Sequence, residues 1–95
     1  MLSQNPSDLN KVNIEDIDKE ILRLAIIGEL DAINLYEQLS AKANNPIIKK
    51  VLLDIAKEEK THVGELQALL ILQDKEQREE LKNGEAEIKE KLSNN

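Results

Sequence analysis

The 95-residue chain contains no cysteine, which excludes disulfides, iron–sulfur clusters and thiolate zinc sites and leaves oxygen and imidazole as the available metal ligands. Those donors suit iron and manganese. Aromatic residues are reduced to Tyr36 alone, so no large rings anchor a core and Leu, Ile and Ala must fill it, a composition suited to helix-on-helix packing. Basic residues are in deficit: 13 Lys and Arg stand against 19 Asp and Glu, a net charge of −6. Phosphate binding needs clustered Lys and Arg, so neither nucleic acid nor an anionic membrane surface is expected as a partner, and cations are favoured. Long apolar runs are missing too, none approaching the roughly 20 residues of a membrane span. The polar start Met1-Leu2-Ser3-Gln4-Asn5-Pro6 lacks the basic and apolar regions of a signal peptide, and a cytoplasmic location is expected. With 40% apolar content in 95 residues, the chain makes one small domain with a thin core, which points to a partner.

What is present is helical periodicity. Residues 1–12 show none and read as a flexible N-terminal arm. Asn13 with Asp16 three residues later looks like a helix start, and apolar residues then recur at helical spacing from Ile14 to about Leu39. Asn44-Asn45-Pro46 breaks and restarts the pattern, with Asn45 as N-cap and Pro46 at the first helical position. A second helix is predicted from Pro46 to about Gln73, antiparallel to the first because the connection is short. Asp74 followed by Gln77 suggests another cap, Leu81 anchors a short third helix, and Asn83-Gly84 is expected to end it. The fold class is therefore all-α, with a helical hairpin domain over residues 13–82 and a polar C-terminal tail over 83–95.

The hairpin carries polar residues where core residues belong. At 100° per residue, Ile48, Leu52, Ile55, Ala56, Val63, Leu66 and Leu70 fall within roughly 60° of Glu59, and His62 lies among them. Glu29 on the first helix shares an arc with Leu22, Ala25, Ile26, Ala32, Ile33 and Tyr36. Unpaired carboxylates in apolar surroundings cost several kcal/mol each, and the basic residues Arg23 and Lys42 do not share the face of Glu29. A metal ion offers one common compensation. Carboxylate-bridged di-iron bundles take one Glu from each of two helices and a Glu-x-x-His pair from each of the other two. Glu29 and the Glu59-Lys60-Thr61-His62 segment supply half of that set. A two-fold dimer of hairpins would complete a four-helix bundle, and the apolar arc of the first helix, widened by Ile17, Ile21, Leu24 and Leu35, is broad enough to require such a neighbour. Asp31, Glu37, Asp54, Glu58 and Glu65 read as solvated charges.

Glu29-Leu30-Asp31-Ala32-Ile33-Asn34-Leu35-Tyr36 and Glu58-Glu59-Lys60-Thr61-His62 resemble the two metal helices of the encapsulated ferritins, in particular the ferritin-like segment found with or fused to encapsulin shells in thermophiles. The resemblance spans about residues 14–75, and the opening Met1 to Pro6 is similar to the fused archaeal type. It implies a ferroxidase that oxidises Fe(II) with dioxygen at a ferritin-like di-iron site shared across a homodimer. By that likeness Glu29, Glu59 and His62 ligate iron, two ions per dimer, and Tyr36 stands near the site. Another branch of the family has an extra Glu where this chain has Gly28, and Asp31 is the candidate for an accessory cation site. Dimers would form an open ring, a decamer, inside an encapsulin nanocompartment whose shell protein is the partner that stores the iron. Two rival functions are a non-catalytic helical oligomerisation module and a di-iron peroxidase of the rubrerythrin type.

Overall fold

The computed structural model describes residues 7–94. Of the expected N-terminal arm, residues 1–6 lie outside the described residues. The remainder of it is not featureless: Leu9–Lys11 form one 3-10 turn, capped by Asp8, whose Oδ1 accepts from the Asn10 N–H at 3.0 Å. Three helices follow: α1 (Ile17–Lys42), α2 (Pro46–Gln73) and α3 (Lys75–Ser93). No strand is found among the described residues.

α1 starts and ends three residues later than its apolar pattern suggests. Ile14 is 87% exposed and sits in a turn closed by the Asp16 N–H on the Asn13 carbonyl at 2.9 Å. Asp16 makes no side-chain cap bond; its carboxylate pairs with Lys19 at 2.9 Å. α2 begins as expected, because Asn45 Oδ1 accepts from both Ile47 N–H (2.8 Å) and Ile48 N–H (3.2 Å), and Pro46 occupies a position whose N–H would be orphaned. Only Ala43, Asn44 and Asn45 link the two helices, and Ser40, almost fully buried, clasps the turn by donating from Oγ to the Lys49 carbonyl at 2.9 Å.

Cross-helix pairs descend in order along α1 as they climb α2: Ser40 with Lys49, Glu37 with Lys60, Glu29 with His62 and Arg23 with the α2 terminus at Asp74. That order defines an antiparallel hairpin. Its core is narrow, with Ile33, Ala56 and Leu70 the buried hydrophobic residues. Most of the rest of the predicted stripes, including Leu22, Ile26, Leu52, Ile55, Val63 and Leu66, are half-buried, while Ile21 and Ile48 are exposed, since two helices can cover each other along one seam only.

The expected stop at Asn83-Gly84 is absent. α3 runs through both residues to Ser93, and no glycine among the described residues has a positive φ. Gly84 therefore acts as an ordinary helical residue at a cost of about 1 kcal/mol relative to Ala. Good helix formers surround it, and Asn83 spends its amide on Glu80 (3.3 Å) while Lys82 pairs with Glu79 and Lys89 with Glu85. The polar stretch over residues 83–93 is thus helix, and it buries nothing. α3 leans on α2 near its start and projects sideways, so the molecule measures 46 × 45 × 21 Å.

Asp74 caps α3, its Oδ1 accepting from the Gln77 N–H at 3.0 Å. That bond, with the hydrogen bond and charge of Arg23 and the charge of Lys19, holds the carboxyl below its ordinary value of 3.8 despite partial desolvation. A depressed folded pKa means that this stabilisation is complete above the ordinary value and disappears as pH falls through the lower folded one. Asp74→Asn keeps a capping oxygen but no charge. Thermal melts should show the parent chain more stable than Asp74→Asn above the ordinary carboxylate value, with the gap closing as pH falls below it; a gap independent of pH would exclude the charge as its source.

Candidate metal centre

Glu29 lies near the middle of α1, and Glu59 and His62 lie near the middle of α2. One helical turn separates Glu59 from His62, which puts both on one face, and the antiparallel register brings Glu29 opposite. One ligand atom from each of the three residues lies within 4.8 Å of the others. His62 Nδ1 is 3.3 Å from Glu59 Oε2 and 3.4 Å from Glu29 Oε2.

The polar accounting does not close. A neutral imidazole carries one N–H, and the hydrogen bond of His62 Nδ1 is with Glu59. Glu29 Oε2 is buried from solvent and has no hydrogen-bond partner. Such an atom carries a desolvation cost of about 1–3 kcal/mol, which a cation between the two carboxylates would offset. Two carboxylate oxygens and an imidazole nitrogen are donors suited to a divalent first-row metal, and they leave coordination positions open. The three residues therefore fit a metal ion.

His62 does not point into a closed core: 47% of its side chain is exposed, against 25% for Glu29 and 20% for Glu59. It sits at the margin of the seam, where no third helix among the described residues packs against both α1 and α2. Beside it opens a hollow of about 260 Å³ lined by Glu29, His62, Glu65, Leu66 and Leu69. Glu65, one turn beyond His62 on the same side of α2, borders this hollow and is exposed, in keeping with a solvated charge. Tyr36, two turns along α1 from Glu29, is partly buried, and Asp31 does not belong to the converging group. Glu37 is paired with Lys60 at 3.1 Å.

Known proteins share this arrangement of helices. A sequence profile of the rubrerythrin family matches residues 20–94. The chain is 54% identical over 92 residues to a ferritin-like–encapsulin shell fusion protein of Pyrococcus furiosus, a match covering 95% of this chain and 27% of that protein. It thus spans about a quarter of that relative's length. The fold matches the crystal structure of an encapsulated ferritin domain from Pyrococcus furiosus with a TM-score of 0.80 at 52% identity, covering 95% of this chain and 94% of that one. The chain belongs to the encapsulated ferritins, within the rubrerythrin family. All three converging residues of this encapsulated ferritin fall inside the matched stretch 20–94.

A residue kept for metal at the expense of folding has a measurable signature. Glu29→Met replaces the orphaned carboxylate with an apolar side chain of similar length. The metal-free variant is expected to be more stable than the parent by about 1 kcal/mol, read as a rise of several degrees in melting temperature, while it loses metal uptake. A destabilised variant that still binds metal would contradict this account of Glu29.

Proposed function

We propose that this encapsulated ferritin is a ferroxidase in which Glu29, Glu59 and His62 hold half of a di-iron site, completed by a second copy across a two-fold axis. The observation that carries the reading is the half-set itself: three metal-type side chains, one of which contributes a buried, unpartnered oxygen, on a face that one chain leaves open at His62. Two copies bring four carboxylates and two neutral imidazoles, a charge of −4 that two Fe²⁺ ions balance. Apolar residues left exposed along the hairpin, among them Ile21, Ile27, Leu30, Leu69 and Leu72, supply surface for that contact.

Iron is the substrate. Each of two Fe²⁺ ions gives up one electron, and dioxygen takes the pair with two protons. The carboxylates of Glu29 and Glu59 hold the ions together and stabilise the more highly charged ferric product, and the imidazole of His62 supplies a neutral ligand. Resemblance to the family supports Tyr36 as a neighbour of the site, Asp31 as an accessory cation site, and assembly of the dimers into an open ring, a decamer. The shell fusion of the Pyrococcus furiosus relative supports an encapsulin shell protein as partner and the interior of an encapsulin nanocompartment as location. No described helix is long and apolar enough to cross a membrane. An open ring encloses no store, so the shell would retain the ferric product.

Anaerobic Fe²⁺ titration followed by exposure to air tests the site. About one iron per chain and rapid growth of ferric absorbance are expected, and Glu59→Ala should lose both. If the parent chain binds no iron and assembles just as Glu59→Ala does, the hairpin is an oligomerisation module. The rubrerythrin profile match favours a second reading, a di-iron peroxidase, although the 95 residues hold no cysteine for a rubredoxin-like electron-delivery centre. Faster oxidation of bound Fe²⁺ by hydrogen peroxide than by dioxygen would select it.

Facing carboxylates repel without metal, so metal and dimer should be thermodynamically coupled. Sedimentation equilibrium is expected to give at least tenfold tighter self-association with Fe²⁺ under anaerobic conditions than with a chelator. Equal dissociation constants would separate the site from the interface.

A further inference from the structure

α2 ends at Gln73 and α3 begins at Lys75, so Asp74 alone carries the change of direction, with φ −137° and ψ 95°. No proline or glycine stands at this junction. Gln73, Lys75, Glu76 and Gln77 are all good helix formers, and helix precedes and follows at once. Propensity alone would carry α2 straight into α3, and the bend needs a cause specific to residue 74.

The two oxygens of Asp74 have different partners. Oδ1 accepts from the Gln77 N–H at 3.0 Å, a capping bond that lets the chain leave helical geometry here. A cap permits a turn without choosing its direction. Oδ2 accepts from Arg23 Nη2 at 2.7 Å, across 51 residues of sequence. Arg23 is itself steadied on α1, its Nη1 donating to Glu20 at 3.1 Å. The inside of the elbow is a hollow of about 280 Å³ whose walls include Ile26, Ile27, Leu70 and Leu81, so α3 does not pack closely against α1 there. The contact that ties the start of α3 to α1 is polar and lies within reach of solvent, with Arg23 at 43% and Asp74 at 13% side-chain exposure.

We propose that the Arg23–Asp74 pair is a latch that holds α3 at its angle to the hairpin, and that α3 is a two-position arm: bent while the pair is made, and continuous with α2 as one helix over residues 46–93 when it is broken. The latch decides where the apolar stripe of α3 points. Bent, Leu81 overhangs the elbow hollow, and Ile88 and Leu92 continue its line outward. Straight, the stripe swings away from α1 and the hollow loses its outer wall.

Because the chain has no cysteine, spin labels can be placed at will. Lys57→Cys and Glu87→Cys, both at exposed helical positions, report the elbow by double electron–electron resonance, with labelled chain diluted in unlabelled chain to suppress distances between copies. A continuous helix separates the two backbone positions by about 45 Å, and the bend shortens this. The otherwise unaltered chain should give one short distance. Adding Arg23→Met, or Asp74→Ala, should introduce a population near 45 Å, and Arg23→Lys, which keeps the charge without the fork, should fall between. Unchanged distances in both variants overturn the proposal. A change in Asp74→Ala with none in Arg23→Met overturns it as well, by assigning the bend to the cap alone. Far-UV circular dichroism monitors folding; should Asp74→Ala not fold, Arg23→Met, which leaves the Asp74 cap in place and removes the ion pairs of Arg23 with Asp74 and Glu20, decides the matter.

Discussion

One imidazole N–H set between two carboxylates cannot satisfy both, and in this hairpin the shortfall lies in the middle of its packed seam. Ile33 is one turn from Glu29 and Ala56 is one turn from Glu59, and both are buried. Two of the buried hydrophobic residues therefore flank the unpartnered polar atom, Glu29 Oε2. An arrangement shaped by folding alone would place an apolar side chain there. The cost is tolerable only if something outside the described chain completes the shell of charge, and the open margin at His62 leaves room for it.

The same incompleteness governs the apolar surface. A two-helix seam buries one stripe per helix, whereas the apolar arc of α1 covers about half its circumference. Ile21, Ile27, Leu30 and Leu39 are left exposed on α1, and Ile48, Val51 and Leu53 on α2. Surface of this kind on so small a chain weakens any claim that the isolated hairpin is the functional unit. Charge and hydrophobicity thus make the same demand for a neighbour.

Local chemistry was legible in the sequence, and distant chemistry was not. Asn45 and Asp74 declared themselves as caps because the bonds they make reach only two or three residues along the chain. The facing of Glu29 with Glu59 and His62 followed from helical period and a short turn, two rules that leave little freedom. Asn83-Gly84 misled because the same residues that end a helix sit inside one when good helix formers and i,i+3 or i,i+4 charge pairs continue past them. The exposure of His62 could not be read from one helix, since an angular position says nothing about whether a facing element exists. Arg23 with Asp74 was invisible for a related reason: the pairing depends on where α1 ends up beside a bend that no local pattern announces.

The three-residue link of Ala43, Asn44 and Asn45, with the Ser40 clasp on Lys49, has a consequence for how such a chain can vary over time. It acts as a length gauge for the chemistry some fifteen residues away on either side. Adding or removing one residue there turns α2 by about 100° relative to α1, which carries Glu59 and His62 off the face that meets Glu29 without altering a single donor. Substitutions along the hairpin can drift one at a time, but insertions in this turn are all-or-nothing. Variation in chain length is therefore confined to the ends of the molecule, where the 3-10 turn and the outer part of α3 lie outside the metric that the turn enforces.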